Sequence, residues 1–320
     1  MKIMIDILVH NILPIFVLVG LGFLLARNFS LDIGTLNKIN FYMLLPAFTF
    51  VYLYTTFIPF DMLKVLVATI IIMALNFTVA FVVSSVRGDN PSMKNAFINS
   101  VMFYNSGNIG VPLITLIFSS APFIIDEKTP YLSLALTAQI MVLVVQSITT
   151  NTIGFYNAGR AHMHWKESLG KILKMPTIYA IPGAFLFKLI PYDITQTPFW
   201  PALEYLKGAL VPVALLILGI QISRTKFNSI RSEVFLSVLL RLVAGPLFAL
   251  GIIHLLSLHG IVAQTVLISA SVPTSVNTVL IAVEYDNHPD FASQTVLIST
   301  LACTVTLSLI IYLSRIMFPY

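Results

Sequence analysis

Apolar stretches recur along the whole chain, each about as long as the roughly 20-residue helix that crosses a bilayer. This feature constrains the fold more than any other. Hydrophobic residues make up 58% of the 320 residues and charged residues only 10%, a balance typical of a bilayer protein. We predict an all-α integral membrane protein with ten transmembrane helices. Their approximate bounds are Ile7–Ala26, Asn37–Thr56, Lys64–Val86, Met93–Phe118, Tyr131–Tyr156, Leu169–Ile190, Ala202–Ile222, Arg231–Leu256, Ile261–Glu284 and Phe291–Met317.

The basic residues predict the orientation of these helices. Eleven of the 18 Lys and Arg residues lie in loops that follow odd-numbered spans. The positive-inside rule therefore places the central loop in the cytoplasm and both termini outside, in a multi-pass protein of the cytoplasmic membrane. The net charge of +5 is explained by these loops, so the lipid bilayer is a predicted partner and nucleic acid is not.

Prolines recur at similar places in the two halves. Three pairs are separated by 161 to 166 residues. Each half contains five spans, so the second half must enter the membrane in the opposite direction, which predicts an inverted repeat. The predicted units are a first repeat at 1–158, a cytoplasmic linker loop at 159–168 and a second repeat at 169–320. The proline pairs are Pro14 with Pro176, Pro46 with Pro212, and Pro112 with Pro273.

Two of the spans, the fourth and the ninth, contain residues that interrupt helices. The runs are Asn105–Pro112 and Val272–Asn277. We expect both helices to be broken and to cross near the middle of the membrane, because non-helical backbone is tolerated there only around a cavity. A broken helix exposes unpaired N–H groups and a partial positive charge at its new N-terminus. The residues expected to break the helices are Gly107, Gly110, Pro112 and Pro273.

Two helix N-termini that face one point form an anion site without a charged side chain. Neutral polar side chains near the breaks, two polar residues of other spans and one buried cation are the predicted substrate-binding residues. The alternative is that these polar groups only satisfy the broken backbone and hold helices together. For the cation, a structural role capping a neighbouring helix end is equally open. The residues are Asn105, Ser106, Asn108, Thr274, Ser275, Asn277, Thr49, Gln146 and Arg241.

Enzyme chemistry has little support in the sequence. No nucleophile elbow, phosphate loop or zinc-protease motif is present, and Cys303 is the single cysteine. His162 and His164 lie in the basic central loop without carboxylate or cysteine partners, which favours a solvated role. We predict no catalytic residues, no metal and no cofactor. Any uphill transport is then driven by a gradient.

The motifs resemble those of the auxin efflux carrier family, which contains plant auxin carriers and many bacterial organic-acid permeases. The resemblance covers essentially the whole chain. It implies a scaffold domain of the first, second, sixth and seventh helices, a transport domain that carries the crossing helices, and a homodimer through the scaffold. The stretches that carry it are 105–113, 271–277 with 282–290, 12–16 and 41–47.

The central loop is short, unlike the long hydrophilic loop of plant carriers, so the chain is more similar to the bacterial members that are linked with malate or malonate. We expect a permease for a small organic anion such as a dicarboxylate, working by alternating access. Alternatives are a carrier of an auxin-like aromatic weak acid and a membrane sensor that binds a ligand without moving it. An intramembrane enzyme would need a catalytic pair, and we find none in the sequence.

Overall fold

A computed structural model describes residues 7–59, 62–159, 176–224 and 230–320. Within these ranges the chain is helical and forms no strand, only two isolated bridges. In chain order the helices are α1 (Leu8–Asn28), α2 (33–55), α3 (Leu63–Val86), α4 (Pro91–Met102), α5 (Ser106–Phe118), α6 (Leu132–Ala158), α7 (Pro176–Lys188), α8 (Trp200–Ser223), α9 (Ser232–Leu255), α10 (Gly260–Ala270), α11 (Asn277–Glu284) and α12 (Pro289–Met317).

These helices follow the apolar stretches of the sequence, with two interruptions. Six of them, α1, α3, α6, α8, α9 and α12, are long and apolar enough to cross a membrane. The predicted fourth span is divided into α4 and α5, and the predicted ninth into α10 and α11. Of the predicted sixth span, 169–175 lies outside the described residues. So does the predicted linker beyond Gly159, including His162 and His164.

Prolines inside four of the helices are preceded by a widened turn. Proline has no N–H, and its ring collides with the carbonyl four residues earlier. A π turn, closed by a bond to the fifth preceding residue, relieves this conflict locally. In each case the second residue after the turn is the proline. The turns are Leu8–Ile12 before Pro14, Asn40–Leu44 before Pro46, Ser106–Gly110 before Pro112, and Leu240–Ala244 before Pro246.

The helices pack in two groups. In the first group α1 packs along α8, and α2 packs on both α7 and α8. In the second group α3, α4, α5, α6 and α9 to α12 pack on one another. The groups meet where α8 contacts the π turn of α5, where α2 contacts α6, and where the start of α1 contacts α5 and α12. The interrupted helices therefore belong to one group and lie against the other.

The contact between α1 and α8 is close because glycines face the opposing backbone. A Cβ at Gly219 would overlap the carbonyl oxygen of Val19, and one at Gly22 would overlap that of Leu216. Both obstacles are backbone atoms, which cannot rotate away as a side chain can. The first group is therefore held by direct backbone contact between two long helices.

We expect Gly219→Ala to lower the apparent melting temperature of the purified protein by about 3–10 °C, since overpacking costs about 1–3 kcal/mol. Gly208 lies on the same helix, and a Cβ added there would meet no atom of the described residues within 4 Å. Gly208→Ala is therefore the matched control. It should leave the melting temperature unchanged or raise it, because alanine favours helix more than glycine does. Equal melting temperatures for the two variants would contradict the close contact.

Candidate functional site

The two interrupted helices meet at their interruptions and pair there. The link Phe103–Asn105 lies antiparallel to the link that contains Pro273 and Thr274. The Asn105 N–H donates to the Pro273 carbonyl at 2.8 Å, and the Ser275 N–H donates to the Phe103 carbonyl at 3.0 Å. Buried backbone groups must find partners, and here each break satisfies part of the other.

Side chains tie the crossing links to neighbouring helices. The Thr274 hydroxyl donates to the Ser100 carbonyl at 2.9 Å, and the Thr274 N–H donates to Ser299 Oγ at 3.2 Å. Gln139 Nε2 donates to the Ser106 carbonyl at 2.7 Å, which supports the π turn of α5 from α6. All of these side chains are buried. The crossover is therefore a fixed framework.

A cavity of about 30 Å³ lies at the crossover. Its lining, taken from the described residues, contains no Lys, Arg, His, Asp or Glu. It is formed by α2, both links, the starts of α5 and α11, one face of α6 and one residue of α8. The lining residues are Asn40, Phe41, Leu45, Tyr104, Asn105, Ser106, Gly107, Asn108, Leu143, Gln146, Ser147, Thr150, Leu210, Ser275, Val276 and Asn277.

Two amide nitrogens in this lining make no hydrogen bond to the part of the chain that the structure describes. Asn105 Oδ1 accepts from the Asn108 N–H at 3.1 Å, and Gln146 Oε1 accepts from the Tyr104 N–H at 3.3 Å. These bonds fix which end of each amide is the oxygen. Asn105 Nδ2 and Gln146 Nε2 are consequently the unpaired donors, in side chains that are each 3% exposed. Asn40 adds one unpaired acceptor, its Oδ1.

Two helices begin at the crossover and two helices end there. α5 and α11 begin at the cavity, so their N-termini border it, whereas α4 and α10 end at the links. An α-helix carries about half a positive charge at its N-terminus. The cavity combines two such N-termini with two unpaired donors, an arrangement that suits an anion.

A wider space adjoins this cavity. It has a volume of about 290 Å³ and shares Phe41, Ser147, Thr150 and Asn277 with the cavity lining. We call this space the vestibule. It extends toward the ends of the helices at which α6 finishes and α7 begins. Its further lining residues are Tyr42, Asn151, Phe155, Pro176, Leu280 and Ile281.

On the opposite side of the crossover the two helix groups are in tight apolar contact. The first half of α1 and one residue of α8 meet α5 and α12 there, around a void of only about 10 Å³. We call this contact the apolar seal. Cys303 of α12 lies in it, 2% exposed. The residues of the seal are Ile12, Ile15, Phe16, Val19, Ile109, Leu113, Leu218, Thr300, Cys303, Thr304 and Leu307.

The structure brings most of the predicted site residues to the cavity. Six of the predicted substrate-binding residues line it: Asn105, Ser106, Asn108, Gln146, Ser275 and Asn277. Three do not. Thr274 points into the framework described above, and Thr49 is fully buried with a hydroxyl that no described residue pairs. Arg241 is fully buried and donates to the carbonyls of Val101 and Ala270.

The residues predicted to break the helices lie at different places relative to the breaks. Gly107 and Gly110 are in the π turn that starts α5, and Pro112 is beyond that turn. Pro273 lies in the second link itself. The first interruption is at Phe103–Asn105, ahead of the glycines. Pro112 and Pro273 are thus not at equivalent local positions.

Sequence reasoning missed several lining residues. Asn40 comes from α2, and Ser147 and Thr150 come from α6. A signal was available for the pair on α6, since Thr150 lies four residues after Gln146 and so shares its helical face. Asn40 lies at the polar start of the second predicted span, close to Asn37 and Lys38, so nothing in the sequence distinguishes it as a cavity residue. Among the described residues no group of three or more His, Cys, Asp or Glu is placed to hold a metal ion.

Comparison with known proteins gives three matches. The profile of a family described as "Membrane transport protein" matches residues 7–311. An "Uncharacterized transporter" from Methanothermobacter thermautotrophicus is 27% identical over 312 residues, covering 94% of this chain and 96% of that protein. A "Putative malonate transporter" from Rhizobium meliloti is 30% identical over 146 residues, covering 44% of this chain and 43% of that protein.

Proposed function

Because the chain belongs to this membrane transport protein family, we propose that it is a secondary transporter for a small organic anion, a malonate- or malate-like carboxylate. The observation that carries the proposal is the pair of buried, unpaired amide nitrogens of Asn105 and Gln146 where two helix N-termini meet. The protein is a multi-pass membrane protein with several apolar helices.

Unpaired donors favour a carboxylate for an energetic reason. A buried donor without an acceptor costs about 1–3 kcal/mol. An ionised carboxylate only accepts hydrogen bonds and has room for about four, so one such group can satisfy both amides. Charge-assisted bonds are roughly twice as strong as neutral ones. An ammonium group, which only donates, would leave both amide nitrogens unsatisfied.

The remaining groups of the cavity supply contacts for the rest of the substrate. Asn40 Oδ1, which no described donor reaches, can accept from a hydroxyl or from a protonated second acid group. The 30 Å³ cavity is small for a whole carboxylic acid. The vestibule of about 290 Å³ gives the body of the molecule a place beside it. The relative named for malonate supports this substrate class.

For the architecture, we propose ten transmembrane helices in two inverted five-helix repeats, with units at 1–158 and 169–320 joined by a linker at 159–168. The interrupted pairs α4–α5 and α10–α11 supply the repeated feature that supports this arrangement. Both termini are outside, following the distribution of basic residues. A homodimer forms through the group of α1, α2, α7 and α8.

Alternating access follows from the two helix groups. The vestibule opens toward the ends of the helices near the central loop, while the apolar seal closes the other side. Movement of one group against the other would close the vestibule and open the seal, and the anion would pass while held at the crossover.

The test is transport by the purified protein in proteoliposomes. Malonate, malate, lactate and indole-3-acetate are offered in turn, with and without a pH step, and charge movement and uptake are recorded. We expect a current with at least one carboxylate, and the pH step reports whether protons are coupled. Ligand binding with no flux for every anion would favour a sensor. Neither binding nor flux would contradict an organic anion as substrate.

A second candidate, a carrier of an auxin-like aromatic weak acid, has one observation in its favour. Phe41, Tyr42 and Phe155 line the vestibule, and aromatic side chains favour offset or edge-on contact with an aromatic ring. Indole-3-acetate is in the panel for this reason. A preference for it over malonate would select this candidate.

We expect Asn108→Ala to reduce transport about tenfold, because it removes one neutral donor and acceptor from the cavity wall. The Asn108 side chain is 8% exposed. The substitution keeps the backbone N–H of residue 108, which donates to Asn105 Oδ1 and so preserves the cap of this turn. The melting temperature should therefore stay near that of the wild type. A well-folded variant with wild-type rates would remove Asn108 from the site.

A further inference from the structure

Arg241 lies between the carboxyl ends of two helices. Its Nη1 donates to the carbonyl of Val101 in α4 at 3.0 Å, and its Nη2 donates to the carbonyl of Ala270 in α10. These residues are at or next to the last residue of each helix. The side chain is fully buried, and it comes from the π turn of a third helix, α9.

The guanidinium occupies a space that Gly245 leaves open, and it contacts the ring of Tyr104. Gly245, one turn further along α9, has no side chain, and a Cβ there would overlap Nη2 of Arg241. The guanidinium carbon also lies 4.8 Å from the centroid of the Tyr104 ring. Tyr104 in turn lines the crossover cavity. One aromatic ring therefore separates the charge from the cavity.

The crossover brings together two negative helix ends, two positive helix ends and the full positive charge of Arg241. Four helix ends meet there, each carrying about half a charge, negative at a carboxyl end and positive at an amino end. Without Arg241 these partial charges would cancel. Its full positive charge neutralises the ends of α4 and α10 and leaves the amino ends of α5 and α11 unopposed beside the cavity.

We infer that Arg241 gives the crossover cavity its preference for anions without touching the substrate, by neutralising the carboxyl ends of α4 and α10. The inference rests on the proposed anion transport and assigns Arg241 as a positioning residue for the field. A buried cation is costly in a membrane, and no carboxylate of the described residues forms an ion pair with this one. The carbonyl ends of two helices are the partners that make it tolerable here.

The test separates charge from hydrogen bonding. Lysine and glutamine at position 241 can each donate to a carbonyl, but only lysine keeps the charge. Currents are recorded in proteoliposomes over a range of malonate concentrations, or of the panel carboxylate with the largest wild-type current. We expect Arg241→Gln to raise the half-saturating concentration about tenfold and Arg241→Lys to keep it within about threefold.

The control is Arg27→Gln, which removes an exposed cation near the end of α1 that lies over Phe23 of the same helix, away from the crossover. It should leave the half-saturating concentration unchanged. If Arg241→Lys and Arg241→Gln bind the carboxylate equally, while both fold, the charge has no role and the inference is overturned. If the wild type responds to no carboxylate, the proposed function fails and the inference fails with it.

Should neither Arg241 variant fold, Gly245→Ala decides. It retains the charge, but the new Cβ would overlap Nη2 of Arg241 and would lie 3.2 Å from the Ala270 carbonyl oxygen. The guanidinium is therefore displaced from the end of α10. We expect the half-saturating concentration to rise about threefold, because α10 regains its negative end. A wild-type value in folded Gly245→Ala would overturn the inference.

Discussion

Replacing Asn105 by aspartate should abolish anion transport while leaving the protein folded. Oδ1 of Asn105 accepts from the Asn108 N–H at 3.1 Å, and an aspartate oxygen accepts the same bond. A negative charge at a helix N-terminus is favourable in itself. The donor Nδ2, however, becomes a second carboxylate oxygen. Two unit charges about 4 Å apart repel by about 4 kcal/mol at an effective dielectric constant of about 20.

That repulsion corresponds to a loss of more than about a hundredfold in the rate at low substrate concentration. The measurement is uptake into proteoliposomes, with the melting temperature determined on the same preparation. Transport by Asn105→Asp relative to the wild type should recover as the pH falls, because protonation removes the charge and restores an O–H donor.

Asn90→Asp is the matched control. Asn90 caps the start of α4 by accepting from the Met93 N–H at 2.8 Å, and it is exposed. The chemical change is identical, but the residue lies far along α4 from the crossover. Asn90→Asp should transport at the wild-type rate. Equal rates for Asn90→Asp and Asn105→Asp would mean that the substrate carboxylate does not bind at Asn105.

A tryptophan in the vestibule should stop transport and keep Cys303 buried. Ser147 lines both the vestibule and the crossover cavity, so Ser147→Trp leaves an indole in a space that must close during alternating access. Cys303 is the only cysteine of the chain and lies in the apolar seal. It therefore reports opening of the opposite side without any engineered label.

We expect the wild type to react with a membrane-impermeant thiol reagent when substrate is present. The reaction should be at least about tenfold slower in Ser147→Trp, since a minor state is populated at about 0.1–10% and the wedge removes it. Ile153→Trp, at an exposed position of the same helix, is the control and should label as the wild type does. Fast labelling of Ser147→Trp would show that the seal opens independently of the vestibule.

The helices could be predicted from hydropathy because each apolar stretch is local. The interruptions were predicted from clustered Gly, Pro and polar residues. The first was expected within Asn105–Pro112 and lies at Phe103–Asn105, at the start of that stretch and ahead of its glycines. Its position depends on pairing between Tyr104 and Thr274, residues far apart in the chain, which no local pattern contains.

The partners of Arg241 could not be predicted for the same reason. They are backbone carbonyls 140 and 29 residues distant, and a carbonyl carries no sequence signature. Asn40 joins the cavity only because α2 lies against the crossover. Periodicity predicts which residues share one helix, whereas a cavity formed by several helices depends on how those helices pack.

The divided helices have a consequence for how the protein enters the bilayer during synthesis. Each half, Pro91–Met102 and Gly260–Ala270 among them, is far shorter than the roughly 20 apolar residues that partition into lipid alone. Polar residues at the links make each pair a weak insertion signal even when the halves are taken together. Their entry therefore depends on neighbours that insert readily, α3 for α4 and α12 for α11, with which they pack.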